Sequence, residues 1–414
     1  MTQIVDRPDT DAVDHHDTPD RPRWSQLYPE LGTGAITTDR FISQEFFDRE
    51  SKLVFGRSWI NVGTVHDLNG AKTFFTRDIK VVGVSLLVVQ DAAGGIQAFH
   101  NVCSHRGNKL VWEDSGPCPF MFSCRFHGWG YKHDGALTSV PDEGEFHFTG
   151  EPDHPDKSGL GLVPVRTEVW NGFIFVNLDS EGTDSLADHL GPLAESLEGF
   201  PFDKFELRSR YDVQDEANWK VIIDAQNEIY HLPMLAPQHR FLGGGAFKTN
   251  DDGYTRLSDF ERYGWHTLYT SDSDVNWVDT PLRTAMAKLN VEADVPQFPL
   301  RAPFMFHVAF PNLIIGFLGN FMFTYNVWPE SVGHSVWEIR MHHPKAENLA
   351  DRVTHDLMKV RFRDLLCEDV AGHAALQVGL ESRARDIFVV GDQEVQIRAF
   401  HKNLDDYMER ADNE

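Results

Sequence analysis

Two short cysteine–histidine segments constrain this 414-residue chain more than any other feature. Cys103-Ser104-His105 comes first, and Cys124-Arg125-Phe126-His127 follows after eighteen intervening residues. Two thiolates and two imidazoles hold either a tetrahedral zinc or a two-iron cluster. The order of the donors separates the two. A Cys2His2 zinc finger usually keeps its Cys together and its His together. Here each pair is mixed, Cys-x-His and Cys-x-x-His, which suits a [2Fe–2S] cluster with two Cys on one iron and two His on the other. Histidine ligation raises the potential above that of an all-Cys cluster. It also leaves His105 and His127 at the outer edge, where an electron departs.

The rest of the composition agrees with a metal reading. The chain has four cysteines, Cys103, Cys118, Cys124 and Cys367, too few for a disulfide framework. Lys plus Arg number 38 against 63 Asp plus Glu, a net charge of -25. That balance argues against nucleic acid or an anionic membrane as the main partner, since a phosphate surface needs a basic footprint. Met1–Asp20 is polar and acidic, with no apolar stretch of the secretory kind. The run Val81–Val89 is interrupted by Gly83 and Ser85 and falls far short of the roughly 20 residues of a membrane helix. These features predict a cytoplasmic chain with no membrane partner.

Periodicity divides the chain. Residues 1–37, rich in Asp, Thr, Pro and His, read as a mobile tail in which the adjacent His15 and His16 are solvated. Within 38–58 the spacing predicts a helix over Ser43–Val54, with Ser43 as its cap. Residues 59–180 are β-rich, with short apolar runs between turn signals such as Asp91–Gly95 and His133–Gly135. Residues 181–204 read as a connection with a short helix. From 205 to 414 the pattern is mixed. It gives a strand at Arg208–Gln214, a helix at Asn218–His231 and strands at Pro303–Phe310, Leu313–Phe317, Met322–Trp328 and Ser335–His342. Helix then spans Val353–Leu366 and Glu368–Leu380, as one long element or two abutting ones. The class is α+β.

Within Asn101–Asn108 and Cys124–Tyr131, the metal segments and their flanks resemble the α subunit, the large terminal oxygenase, of Rieske non-heme iron ring-hydroxylating oxygenases. A second resemblance lies downstream. Asn218-Trp219-Lys220 and Asn227-Glu228-Ile229-Tyr230-His231 are similar to the start of that family's mononuclear iron motif, and Cys367-Glu368-Asp369 with Gln377–Ser382 to its later segment. The resemblance implies His231 and Asp369 as iron ligands. It implies Glu228 as the acid that bridges the iron site to a neighbouring subunit's Rieske histidine. Glu228 and His231, three apart, share a face if the helix continues. The family's second His follows the first by five residues, and here that position is Ala236. Three readings stay open: His239 is a shifted ligand, the ligand is lost, or a distant His such as His307 replaces it. Eight residues of continuous helix advance about 12 Å, too far for one ion, but Pro233 and Pro237 break a helix there. Cys367 reads as a small buried hydrophobe.

Further implications follow from the resemblance. The fold is a Rieske domain over 59–180, with 38–58 packed on a helix-grip catalytic domain over 205–414, a central antiparallel sheet flanked by helices. The cofactors are a [2Fe–2S] cluster and Fe(II). The partners are dioxygen, an NAD(P)H-dependent reductase with or without a ferredoxin, and copies of the chain in a homotrimer or an α3β3 assembly. The head-to-tail trimer sets one subunit's cluster beside its neighbour's iron. Phe304, Phe306, Phe310, Phe317, Phe321 and Phe323 alternate partly at strand spacing. Of these, Phe304, Phe306, Phe317 and Phe323 are the candidates for lining a cavity for an apolar or aromatic substrate. The outcome is hydroxylation, dihydroxylation or demethylation. The rival readings are an electron-transfer protein with a degenerate iron site and a zinc-binding module.

Overall fold

The computed structural model describes residues 22–151, 154–235, 237–239, 249–250, 253–272, 302, 304–318 and 321–413. Short β-branched and aromatic runs between Trp59 and Asn177 pair into a seven-stranded antiparallel sheet. Its order is Trp59–Thr64, Phe173–Asn177, Pro164–Trp170, Ile96–His100, Val84–Gln90, Thr73–Ile79 and Ser115–Pro117. The hairpin from Trp170 to Phe173 turns on Asn171 and Gly172, both at positive φ, +47° and +84°. That is the turn an Asn-Gly pair favours, because its twist matches the strands. A small sheet of Phe122–Ser123, Gly130–Tyr131 and Leu137–Ser139 carries the second metal loop.

The second large sheet is also seven-stranded and antiparallel. Its order is Phe205–Asp215, His334–Pro344, Phe321–Ser331, Leu313–Leu318, Phe304–Ala309, His266–Ser271 and Asp259–Tyr263. Alternation along the strands sorts residues onto two faces. One face presents Tyr269, Phe306, Val308, Ile314, Phe323, Tyr325 and Trp337. Three helices cover it: Trp219–Gln226, the 33-residue Leu349–Glu381 and Val395–Asn413. The other face presents Leu268, Met305, Ala309, Leu313, Ile315 and Phe317. The segment expected as a connection covers this side, through Leu186, Leu190, Leu193, Leu197, Phe200 and Phe202.

The long helix begins at Leu349 because Asn348 and Asp351 cap it reciprocally, and it runs unbroken to Glu381. The two halves share one apolar core. A buried ionic cluster also joins them: Arg340 to Asp67 at 2.6 Å and Arg77 to Glu338 at 3.0 Å.

The mobile-tail expectation is corrected for residues 22–37. Trp24 is buried against Phe260, and Asp392 accepts hydrogen bonds from the backbone N–H of Trp24 and Ser25 at 2.9 and 3.0 Å. Residues 1–21, with His15 and His16, lie outside the described residues. The helix expected over Ser43–Val54 is divided. Asp39–Ile42 and Gln44–Arg49 are α-helical, and Glu50–Phe55 winds more widely as a π-helix. The wider turn sets the fully buried Glu50 against Lys220 Nζ at 2.7 Å and the Trp219 indole N–H at 3.0 Å, docking this segment on the catalytic half. No helix among the described residues is long and apolar enough to cross a membrane.

Candidate metal centres

The two loops of the first centre close in the same way. Gly107 N–H donates to Cys103 C=O at 2.9 Å, and Gly128 N–H to Cys124 C=O at 2.8 Å. Each glycine has positive φ, +74° and +77°, which a side chain would strain. Each cysteine N–H is bound across the loop, Cys103 to Asn108 C=O at 2.9 Å and Cys124 to Trp129 C=O at 2.8 Å. The two thiols end up buried, unoxidised and within hydrogen-bonding reach of one another. Burial, aided by Cys124 nearby, pushes the Cys103 thiol up. Burial would raise Cys124 too, but hydrogen bonds from Phe126, His127, Cys103 and Asn108 outweigh it and lower that thiol. The Tyr131 hydroxyl donates to Cys103 Sγ at 3.3 Å, and Asn108 Nδ2 to Cys124 Sγ at 3.5 Å.

His105 and His127 lie with ring centroids 4.6 Å apart. His105 stacks on Trp129 at 4.9 Å and 8°, which fixes its plane. Its Nδ1 is buried with no hydrogen-bond partner. An orphaned ring nitrogen beside two converging thiols fits a metal cluster, since a buried polar atom without a partner is costly. His127 is exposed, Phe126 against it is 63% exposed, and Trp112, under the Arg125 guanidinium, is 54% exposed.

The second centre is assembled from distant parts. Asn218 caps the Trp219–Gln226 helix by accepting from Lys220 N–H at 3.1 Å. The helix expected to reach His231 stops at Gln226, so the shared helical face gives way to a tight turn. In that turn the Glu228 carboxylate accepts from Tyr230 N–H, from His231 N–H at 3.1 Å, and from His231 Nδ1. The Glu368 carboxylate does the same at the other histidine. It accepts from Gln238 N–H at 2.8 Å, His239 N–H at 3.1 Å and His239 Nδ1 at 2.9 Å. With both Nδ1 atoms held, both Nε2 atoms point to Asp369 Oδ1, at 3.7 Å from His231 and 3.2 Å from His239. One donor atom from each of His231, His239 and Asp369 lies within 4.8 Å of the others. Burial disfavours a charged His231, but the Glu228 and Asp369 carboxylates outweigh it and raise its pKa.

Two imidazoles and one carboxylate, with both Nε2 atoms available, are the donor set of non-heme iron sites that keep positions open for reactants. Ala236 lies outside the described residues. His307 does not join the cluster: it sits on the opposite sheet face, with its ring against Phe317 at 5.8 Å.

The aromatic candidates divide by face. Phe306 and Phe323 are buried on the helix-covered face, and Phe304 packs against them. Phe317 is corrected. It pairs with Met305 and Met322 in the register, so it points to the other face, where it packs on Phe200 at 4.7 Å. Phe310 packs against Tyr407 and Phe400, and Phe321 between His343 and Phe362.

Two tyrosines and one acid here escape a reading of the sequence. Tyr269 stacks on Phe306 at 5.2 Å and donates to Gln226 C=O at 2.9 Å, and Tyr325 lies 5.0 Å from Phe323. Burial holds both phenols well above their usual range, helped by the fields of Glu228 and then Asp369 at Tyr269 and by that of Asp369 at Tyr325. The phase of Phe306 and Phe323 along the strands was the available signal for the tyrosines. Adjacency to Asp369 was the signal for Glu368. Cys367 is exposed rather than a buried hydrophobe. Beside Glu228, Tyr230 and Met234 are 54% and 67% exposed.

Residues 58–154 match the Rieske [2Fe-2S] domain, and residues 202–410 match the catalytic domain of the ring hydroxylating alpha subunit. The carnitine monooxygenase oxygenase subunit of Escherichia coli is 33% identical over 232 residues, 55% of this chain and 55% of that protein. The chain thus spans about half the length of the curated relatives it matches. Among solved structures, a quaternary ammonium Rieske monooxygenase in complex with an inhibitor superposes with a TM-score of 0.74 at 21% identity, covering 92% of this chain and 98% of that one. Naphthalene 1,2-dioxygenase with indole bound gives 0.68 at 21%, covering 92% and 95%. These two likenesses concern the fold. With both domain matches in chain order, the protein belongs to the ring-hydroxylating oxygenase α subunits, which carry a Rieske [2Fe–2S] domain and a non-heme iron catalytic domain.

Proposed function

We propose that this chain is the terminal oxygenase component of a multicomponent system, fed electrons by an NAD(P)H-dependent reductase with or without a ferredoxin. The observation that carries the reading is the convergence of His231 Nε2, His239 Nε2 and the Asp369 carboxylate. These three would hold Fe(II), and Cys103, Cys124, His105 and His127 would hold the cluster. When bound, the iron supplies dioxygen activation, and the cluster stores one electron at a time. Glu228 and Glu368 hold the Nδ1 protons of the two ligand histidines and fix their tautomers. Buried aromatic side chains keep bulk water from the wall of the site.

Glu228 is also the contact acid between neighbouring copies in a head-to-tail ring. Exposed Phe126 lies against His127 at one centre, and exposed Tyr230 is bound to Glu228 at the other. Each patch is the kind of surface a heterologous interface covers.

The substrate is a small molecule that sets a bulky, weakly hydrated group against Tyr269, Phe304, Phe306, Phe323 and Tyr325. A quaternary ammonium head fits best. The faces of these rings favour a cation. A neutral aromatic ring is the second reading, favoured by the three Phe in that wall. Substrate-dependent oxygen uptake with reductase separates them. A trimethylammonium compound should show a KM roughly tenfold below that of its neutral tert-butyl analogue. Equal KM values, or a preference for the neutral compound, would reverse the assignment.

A further inference from the structure

We infer that Glu368 is the positioning residue that lets His239, helical together with Gln238, serve as an iron ligand eight residues beyond His231. The inference rests on the ligand set proposed above. After His231 the chain folds back at once: Met234 and Leu235 N–H donate to His231 C=O at 2.8 and 3.1 Å. Pro237 lacks an N–H and so suits the start of a helix rather than its interior, and Gln238 and His239 after it are helical. These two helical residues are held by the Glu368 carboxylate, on Gln238 N–H, His239 N–H and His239 Nδ1.

This clamp repeats, donor for donor, what Glu228 does at His231: the backbone N–H before the histidine, the histidine's own N–H, and its Nδ1. Glu228 reaches only three residues along the chain, whereas Glu368 reaches 129. Glu368 and Asp369 are consecutive on the long helix, about 100° apart around its axis. One therefore grips the backbone at Gln238 and His239 while the other faces both Nε2 atoms. Only an acceptor-only group can take three N–H donors at once. It fixes His239 with the proton on Nδ1 and the lone pair on Nε2, 3.2 Å from Asp369 Oδ1. A ligand delivered in this way is free of the five-residue spacing, because the long helix sets its position.

The test uses the full-length protein. Glu368→Gln keeps the size but puts an NH2 against one of the three donors. It should keep its Rieske absorption while releasing the mononuclear iron to a chelator about 10- to 100-fold faster. The cobalt(II)-substituted site should show a shifted visible band, because the basicity of His239 changes. Glu368→Asp, which keeps the charge but loses reach, should fall between wild type and Glu368→Gln. It carries the test if Glu368→Gln does not accumulate. Wild-type release and an unchanged cobalt band in either variant, alongside iron loss in His239→Ala, would overturn the role of Glu368 alone. Wild-type iron retention in His239→Ala would overturn the ligand set, and the inference with it.

Discussion

At the Rieske centre the four donors come from two loops whose closing glycines, Gly107 and Gly128, each lie four residues beyond a cysteine and bond back to it. At the mononuclear centre the proposed donors come from the turn after one helix, the helical pair Gln238 and His239, and the long helix, and the clamp on His239 spans 129 residues. The first centre is a property of its own turns and holds its spacing tightly. The second is a property of the packed domain and tolerates a shifted histidine, provided that a clamp is waiting for it. Local construction makes a site rigid in sequence, and long-range construction makes it rigid only in space.

The largest effect expected is the separation of the two centres. Cys124→Ser should abolish the visible absorption of the cluster yet leave iron at the mononuclear site. Loss of all iron would show that the two centres assemble as one. Next, Glu228→Gln should keep both metals and lower turnover about 10- to 100-fold, since it disturbs the grip on His231 and the contact acid. Turnover near that of wild type would remove Glu228 from both roles.

Acid should distinguish the halves as well. His189 and His266 are buried in the catalytic half with their rings held neutral. Phe310 N–H donates to His266 Nδ1 at 3.0 Å, and His266 Nε2 donates to His189 C=O at 2.7 Å. Burial depresses His189 to about 4 and His266, like His342 and His343, to about 3. The unfolded chain takes up protons below about pH 6.5 while these rings stay neutral, so their contribution is complete above that pH and is lost as pH falls toward 4. The cost is on the order of 1 kcal/mol per ring per pH unit. The melting midpoint should therefore fall steadily below about pH 6.5, and a flat midpoint would contradict the assignment. The smallest effect is expected at Tyr131→Phe. Removing one hydrogen bond from Cys103 Sγ, worth about 1 kcal/mol, should lower the cluster potential by about 40 mV with the absorption intact. An unchanged potential would mean that the hydroxyl does not tune the sulfur.

What the sequence discloses follows the same division. Cys103, His105, Cys124 and His127 were legible because their chemistry and spacing are set within one small stretch. The strands were legible from their alternation, but the face of Phe317 was not. A one-residue change of phase sends a side chain to the opposite face, and the phase is fixed only by the hairpin register, which sets Phe317 opposite Met322 and Gly316 opposite Phe323. Trp24 was hidden for a different reason. Trp24, Leu27, Tyr28 and Leu31 do fall at helical spacing, but the partners that bury Trp24, Phe260 and Asp392, lie far along the chain. His239 stood in the sequence as one of three alternatives. What decides its placement is Glu368, and a contact across 129 residues leaves no local pattern to read.

Iron analysis of the purified chain, set against its Rieske absorption, tests the central claim most directly. The account predicts about three irons per chain, two following the cluster absorption and one lost selectively in His239→Ala. About two irons per chain, with His239→Ala indistinguishable from wild type, would contradict it.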